Sequence, residues 1–171
     1  MMIHSNAQQH MFLDLEETVI DSWDSAKLLM TNCRAIRRML KSRGVNEVTI
    51  FSFAVQTPEE REEAMTHLRP RLEKVLDVKI VDVILVQQMQ QADQQWRKCR
   101  LDDMTEFIML RGKTDAFFAW ASLKHPGEQC TLIDDVVPNS ESRDWDTDTV
   151  VEFRNIEQVR ELWRTLNGDG L

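Results

Sequence analysis

Residues 11 to 20 read Met-Phe-Leu-Asp-Leu-Glu-Glu-Thr-Val-Ile, MFLDLEETVI. The apolar run Met11-Phe12-Leu13 is short and stops on Asp14, the pattern of a strand buried on both faces whose end turns out of the sheet. Glu16 and Thr18 follow at two-residue intervals, so one stretch supplies both a buried strand and an acidic strand end. Residues 1 to 10 form a polar lead-in.

Outward from this stretch, strand and helix patterns alternate. From Ser25 to Ser42, Ala26, Leu29, Met30, Cys33, Ile36, Met39 and Leu40 recur at helical spacing. Arg34, Arg37, Arg38 and Lys41 line the other face, and Asp21, Ser22, Asp24 and Ser25 offer capping oxygens at its start. Glu47 to Phe53 predicts a second strand. Thr57-Pro58-Glu59-Glu60 carries a helix start with Thr57 as cap, Pro58 at the first position and Glu60 closing a capping box. That helix runs to about Leu68, with a kink at Pro70 and a further turn to Leu76. Lys79 to Val86 predicts a third strand, and the glutamine-dense QQMQQADQQW a solvated helix. Two short helical pieces flank Gly112, over 104–111 and 113–123. Cys130-Thr131-Leu132-Ile133 is a fourth strand ending on Asp134-Asp135. An acidic loop with Glu141, Asp144, Asp146 and Asp148 leads to a fifth strand at Thr149 to Phe153, and a helix from Ile156 to about Leu166 closes the chain before Gly168. The expected fold is α/β: one three-layer, Rossmann-like domain over 1–171, with a five-stranded, mainly parallel sheet and helices on both faces.

The 171 residues are 42% hydrophobic and 29% charged, which suits a globular domain. No apolar run approaches a membrane span, and the polar start lacks the features of a signal peptide, so a cytoplasmic protein with no membrane partner is expected. Cys33, Cys99 and Cys130 are odd in number and far apart, the pattern of reduced thiols. The net charge of −8 argues against generic nucleic-acid affinity, and the basic stripe on the first helix reads as a solvated face. His4, His10, His67 and His125 share no metal-ligand spacing, and five glycines leave no phosphate-loop or dinucleotide pattern.

In an open parallel sheet, ligands bind beyond the carboxyl ends of the strands. Asp14, Ser52, and Asp134 with Asp135 stand at such ends, and Lys113 opens the helix before the fourth strand. Taken in order, Asp14-Leu15-Glu16-Glu17-Thr18, Ser52 in VTIFSF, Lys113 in RGKTDAFFAW and Asp134-Asp135-Val136-Val137-Pro138-Asn139 resemble the four motifs of the haloacid dehalogenase superfamily of phosphohydrolases. The resemblance spans residues 11 to 166, with Glu16 where the family's first motif carries a second Asp.

The resemblance implies a phosphatase acting through an aspartyl phosphate. Asp14 would be the nucleophile and Glu16 the acid/base on a longer arm, with Thr18 supporting the loop. Ser52 would donate to a phosphoryl oxygen, and Lys113, in competition with Arg111, would offset anionic charge. Mg²⁺ would sit among Asp14, the Glu16 carbonyl and Asp135, with Asp134 and Asn139 around them. Chain lengths between the motifs leave no room for a large cap domain. An open site fits a phosphorylated small molecule, nucleotide, nucleic-acid end or phosphoprotein, or a neighbouring subunit of a homo-oligomer acting as lid. The alternative is a binding or regulatory protein with this fold, in which Glu16 marks weakened catalysis.

Overall fold

A computed structural model describes residues 8–166. Residues 1–7 of the lead-in, with His4, and Gly168 lie outside the described residues. The chain runs β1 (Gln9–Leu13), α1 (Met30–Ser42), β2 (Glu47–Phe51), α2 (Pro58–Glu63), a π-helical turn (Ala64–Leu68), α3 (Arg69–Leu76), β3 (Lys79–Ile84) and α4 (Val86–Arg97). It continues through α5 (Met104–Lys124), β4 (Gln129–Asp134), β5 (Ser140–Asp144), β6 (Thr149–Asn155) and α6 (Ile156–Leu166).

The six strands form one mixed sheet in the order β3-β2-β1-β4-β6-β5. All neighbours pair parallel except β5, which lies antiparallel to β6. The fold is therefore α/β as expected, with six strands where five were read. The extra strand, Ser-Glu-Ser-Arg-Asp, sits in the stretch expected to be a solvated loop and has no apolar face to announce it. Local turn chemistry makes it instead. Asp144 accepts from the backbone N–H of Asp146 at 3.1 Å and the hydroxyl of Thr147 at 2.6 Å, closing a hairpin onto β6.

Alternation along β1 sends Met11 and Leu13 to one face and Phe12 to the other. Met11 and Leu13 pack in a core with Cys33, Ile36 and Leu40 of α1, Leu72 and Leu76 of α3, and Val159 of α6. Phe12 packs with Met89 of α4, Phe117 and Trp120 of α5, and Phe153 of β6. Helices thus cover both faces of the sheet.

Three local departures have clear causes. Helix α1 starts at Met30, five residues later than its periodicity suggests. Asp21 takes the backbone N–H groups of Ser22 and Lys27 and the Ser25 hydroxyl, so the capping residues close a turn of their own rather than a helix. The Thr57 capping box forms as read, with Glu60 N–H donating to Thr57 Oγ1 at 3.1 Å. Beyond it, the π-helical turn accommodates Pro70, whose ring would press on the carbonyl one turn back in a regular helix. Gln9 and His10 of the expected lead-in belong to β1. No helix among the described residues is long and apolar enough to cross a membrane, and all three cysteines are free thiols, with Cys33 and Cys130 buried.

Helix α5 decides where Lys113 stands. Gly112 interrupts it with φ 63° and ψ −175°, a conformation open to glycine, and the helix restarts at Lys113. One turn on, on the same face, Phe117 is fully buried, its ring 5.0 Å from Phe12, 5.1 Å from Phe51 and 5.8 Å from Phe153. The aromatic cluster therefore fixes the helix face from which Lys113 reaches the strand ends. Phe117→Ala is expected to cost about 3–5 kcal/mol in urea denaturation, whereas Phe118→Ala, at a partly buried position beside Trp96, should cost less.

Candidate active site

The strand order places the site. From β1 the chain proceeds to β2 and β3 on one side, while β4 lies on the other, so the crevice between β1 and β4 is the topological switch point. Leu13 and Ile133 are register partners, which sets Asp14 beside Asp134. The backbone N–H of Asp14 donates to Ile133 O at 3.0 Å and fixes this alignment.

Lys113 joins the strand ends. Its Nζ lies 2.8 Å from Asp14 Oδ1, 3.2 Å from Asp134 Oδ2 and 3.2 Å from the Phe51 carbonyl oxygen, and 4.8 Å from the centre of the Phe53 ring. Asp14, Asp134 and Lys113 are 5%, 0% and 8% exposed, so these charges face one another in a largely dry setting. Burial alone would lower the Lys113 pKa, but the two carboxylates outweigh it and keep the ammonium charged. Arg111, the competing cation, points elsewhere: its guanidinium holds the buried Asp93 at 3.0 and 3.1 Å and touches Cys99 Sγ at 3.3 Å.

The loop after β1 is tightly wound. Leu15 O accepts from the N–H groups of Thr18, Val19 and Ile20, and Glu17 is forced to φ 61°. This winding buries Thr18, whose hydroxyl donates to Asp14 Oδ2 at 3.2 Å, so both oxygens of Asp14 are held. Glu16 borders the same cleft, and its Oε2 accepts from the Trp23 N–H at 2.8 Å. Ser52 is buried just past β2. Its Oγ accepts from Ala54 N–H at 3.2 Å, leaving the hydroxyl hydrogen free of that bond. Asp14, Glu16 and Ser52, with Lys113, Asp134 and Asp135, line an open cleft of about 480 Å³.

Negative charge exceeds positive charge here. One carboxylate oxygen each from Asp14, Asp134 and Asp135 lie within 4.8 Å of one another, a spacing that could hold a metal ion. Asp134 Oδ2 is buried, with the Lys113 ammonium 3.2 Å away. Burial raises the Asp14 carboxyl above its ordinary range, and Asp134 adds to this against the pull of Lys113. Burial, then Asp134 and Asp14, push Asp135 up to about 7. An all-oxygen donor set with surplus charge suits a hard divalent cation. The Glu16 carboxylate is not part of the trio.

Sequence reading brought together Asp14, Glu16, Ser52, Lys113, Asp134 and Asp135, and all six line this one cleft. Asn139 does not; its Oδ1 accepts from the Asn155 N–H at 3.0 Å. Asn155 was missed. Its Nδ2 donates to the carbonyls of Asp135 at 3.2 Å and Val137 at 2.9 Å, which sets the loop that carries Asp135, and its Oδ1 accepts from Glu157 N–H. The signal was a helix-capping Asn between a strand and a helix. Asn32 was also missed: it donates to the Thr18 carbonyl at 3.0 Å and accepts from Arg160 at 3.0 Å.

The raised Asp135 carboxyl predicts a pH effect of definite sign. The folded state holds that proton more tightly than the unfolded chain, so the contribution is present below pH 4 and is lost as pH rises through about 7. Metal-free protein should therefore lose stability over this window, and Asp135→Asn should lose less. A divalent cation should restore the wild type near pH 7, as read by urea denaturation with and without metal. Compared with protein-family models, curated proteins and solved structures, the chain shows no match.

Proposed function

We propose that this protein is a phosphoric monoester hydrolase of the haloacid dehalogenase type, dependent on Mg²⁺ and working through an aspartyl phosphate on Asp14. The observation that carries the proposal is the Lys113 ammonium, 2.8 Å from Asp14 and 3.2 Å from Asp134 beside the carboxylate trio. That arrangement matches what phosphoryl transfer demands: a fixed nucleophile and positive charge around the equatorial oxygens.

Lys113 and Thr18 orient the Asp14 carboxylate for in-line attack. The new O–P bond forms as the bond to the leaving group breaks, and the leaving oxygen takes a proton from Glu16. Ser52 O–H and Lys113 hold phosphoryl oxygens meanwhile. Water then attacks phosphorus, returns a proton to Glu16, and frees phosphate and Asp14. Mg²⁺, held by Asp14, Asp134, Asp135 and the Glu16 carbonyl, would neutralise phosphoryl charge. The Trp23 N–H anchors one oxygen of Glu16 and leaves the other for proton transfer. The open cleft suits a phosphate on a nucleotide, a nucleic-acid end, a phosphoprotein or a small molecule, or a second subunit as lid.

A second reading rests on that same Trp23 contact. A Glu16 side chain tied to the loop backbone is less free to reach a leaving oxygen, and the protein would then bind phosphorylated partners with little turnover.

Phosphate release from an aryl phosphate and a nucleotide panel separates the two. The hydrolase reading expects Mg²⁺-dependent release that falls at least about a thousandfold in Asp14→Asn; equal release from both proteins contradicts it. Glu16→Gln should cut turnover by about 10²–10⁴ with Mg²⁺ affinity kept. A loss confined to Mg²⁺ affinity reassigns Glu16. Wild type that binds Mg²⁺ without any release supports the second reading.

A further inference from the structure

At the opposite end of the sheet from Asp14, two histidines that share no sequence spacing meet. His10 lies on β1 and His125 follows the last turn of α5. Their rings pack with centroids 4.0 Å apart and a tilt of 33°. Glu128 reaches both: its Oε2 contacts His10 Nε2, and its Oε1 lies 3.9 Å from His125 Nδ1.

We propose that His10, His125 and Glu128 form a binding site for a divalent transition-metal cation of the Zn²⁺ class. Each residue offers a ligand atom, and the three atoms lie within 4.8 Å of one another. Ligand atoms around four-coordinate Zn²⁺ sit about 3.3 Å apart, so closure needs side-chain movements of roughly an ångström. Two imidazoles and one carboxylate are a borderline donor set that favours Zn²⁺, Co²⁺ or Ni²⁺ over Mg²⁺. Three protein ligands leave a fourth position for water.

The backbone beneath these side chains is tied down. His125 N–H donates to Ala121 O at 2.8 Å, Glu128 N–H to His125 O at 3.2 Å, and Val150 N–H to Glu128 O at 3.0 Å. Thr149 Oγ1 donates to His125 O at 2.9 Å and accepts from Gly127 N–H at 3.2 Å. The side chains are 24%, 23% and 31% exposed, enough for an ion to enter and little enough to limit hydration. Burial lowers the His125 pKa, which favours the neutral imidazole that ligates a metal. The Lys124 ammonium lies 5.3 Å over the Trp120 ring.

The site is separate from the carboxylate trio. Three residues of β1, Met11 to Leu13, part His10 from Asp14, a span of about 13 Å along the strand. An ion here would clamp the start of β1 to the turn between α5 and β4, and occupancy would raise the melting temperature.

Co²⁺ added to the full chain, with Mg²⁺ in excess to fill the carboxylates, tests the site. The expected result is one tight equivalent with the intense visible absorption of four-coordinate, nitrogen-ligated Co²⁺, and a higher Tm. His10→Gln and Glu128→Gln, folded by circular dichroism, should each weaken it by at least about tenfold, while Asp135→Asn retains it. If no tight equivalent appears, or if it vanishes in Asp135→Asn and survives in His10→Gln, the proposal is overturned.

Discussion

The Lys113 ammonium, shared between Asp14 and Asp134, is the interaction on which the site depends. Two carboxylates on adjacent strands and nearly out of water would repel one another, and a charge buried without a partner is expensive. A cation between them turns that repulsion into a fixed geometry. The cation arrives from a third element, α5, so the site exists only when β1, β4 and α5 are all in place. Phe117 links this requirement to the hydrophobic core. Its ring, seated among Phe12, Phe51 and Phe153, sets the rotation of the helix that presents Lys113 one turn earlier.

Lys113 does not balance the site. Asp135 adds a third carboxylate, so one ammonium faces three acidic side chains. Folding has therefore assembled a place where more positive charge is favourable, at the switch point where the sheet opens. Stability is spent there rather than gained, as expected where groups are arranged for chemistry. The loop that holds Asp14 bears a related cost, since Glu17 sits at φ 61° so that Thr18 can turn inward.

Much of this was legible in the sequence because it followed from period and punctuation. Apolar runs located β1 to β4 and β6, the Thr57 box located α2, and Gly112 divided α5 where its backbone departs from helix. The order of strand-end residues brought six side chains to one cleft. What escaped reading depends on contacts between distant residues or on polar side chains that replace an expected pattern. β5 has no hydrophobic alternation and exists through the Asp144 turn. Asp21 consumed the capping groups meant for α1. Arg111 and Lys113 are indistinguishable until Asp93 claims the first. His10 and His125 are 115 positions apart and met only in the folded chain.

The central claim is that Asp14 is a nucleophile and not only a metal ligand. Acid-quenched turnover of an acyl or aryl phosphate in Mg²⁺, followed by peptide mass spectrometry, tests it most directly. The account predicts a phosphoryl group on the peptide carrying Asp14, present during turnover and removed by alkali. Turnover that leaves that peptide unmodified at every quench time would contradict it.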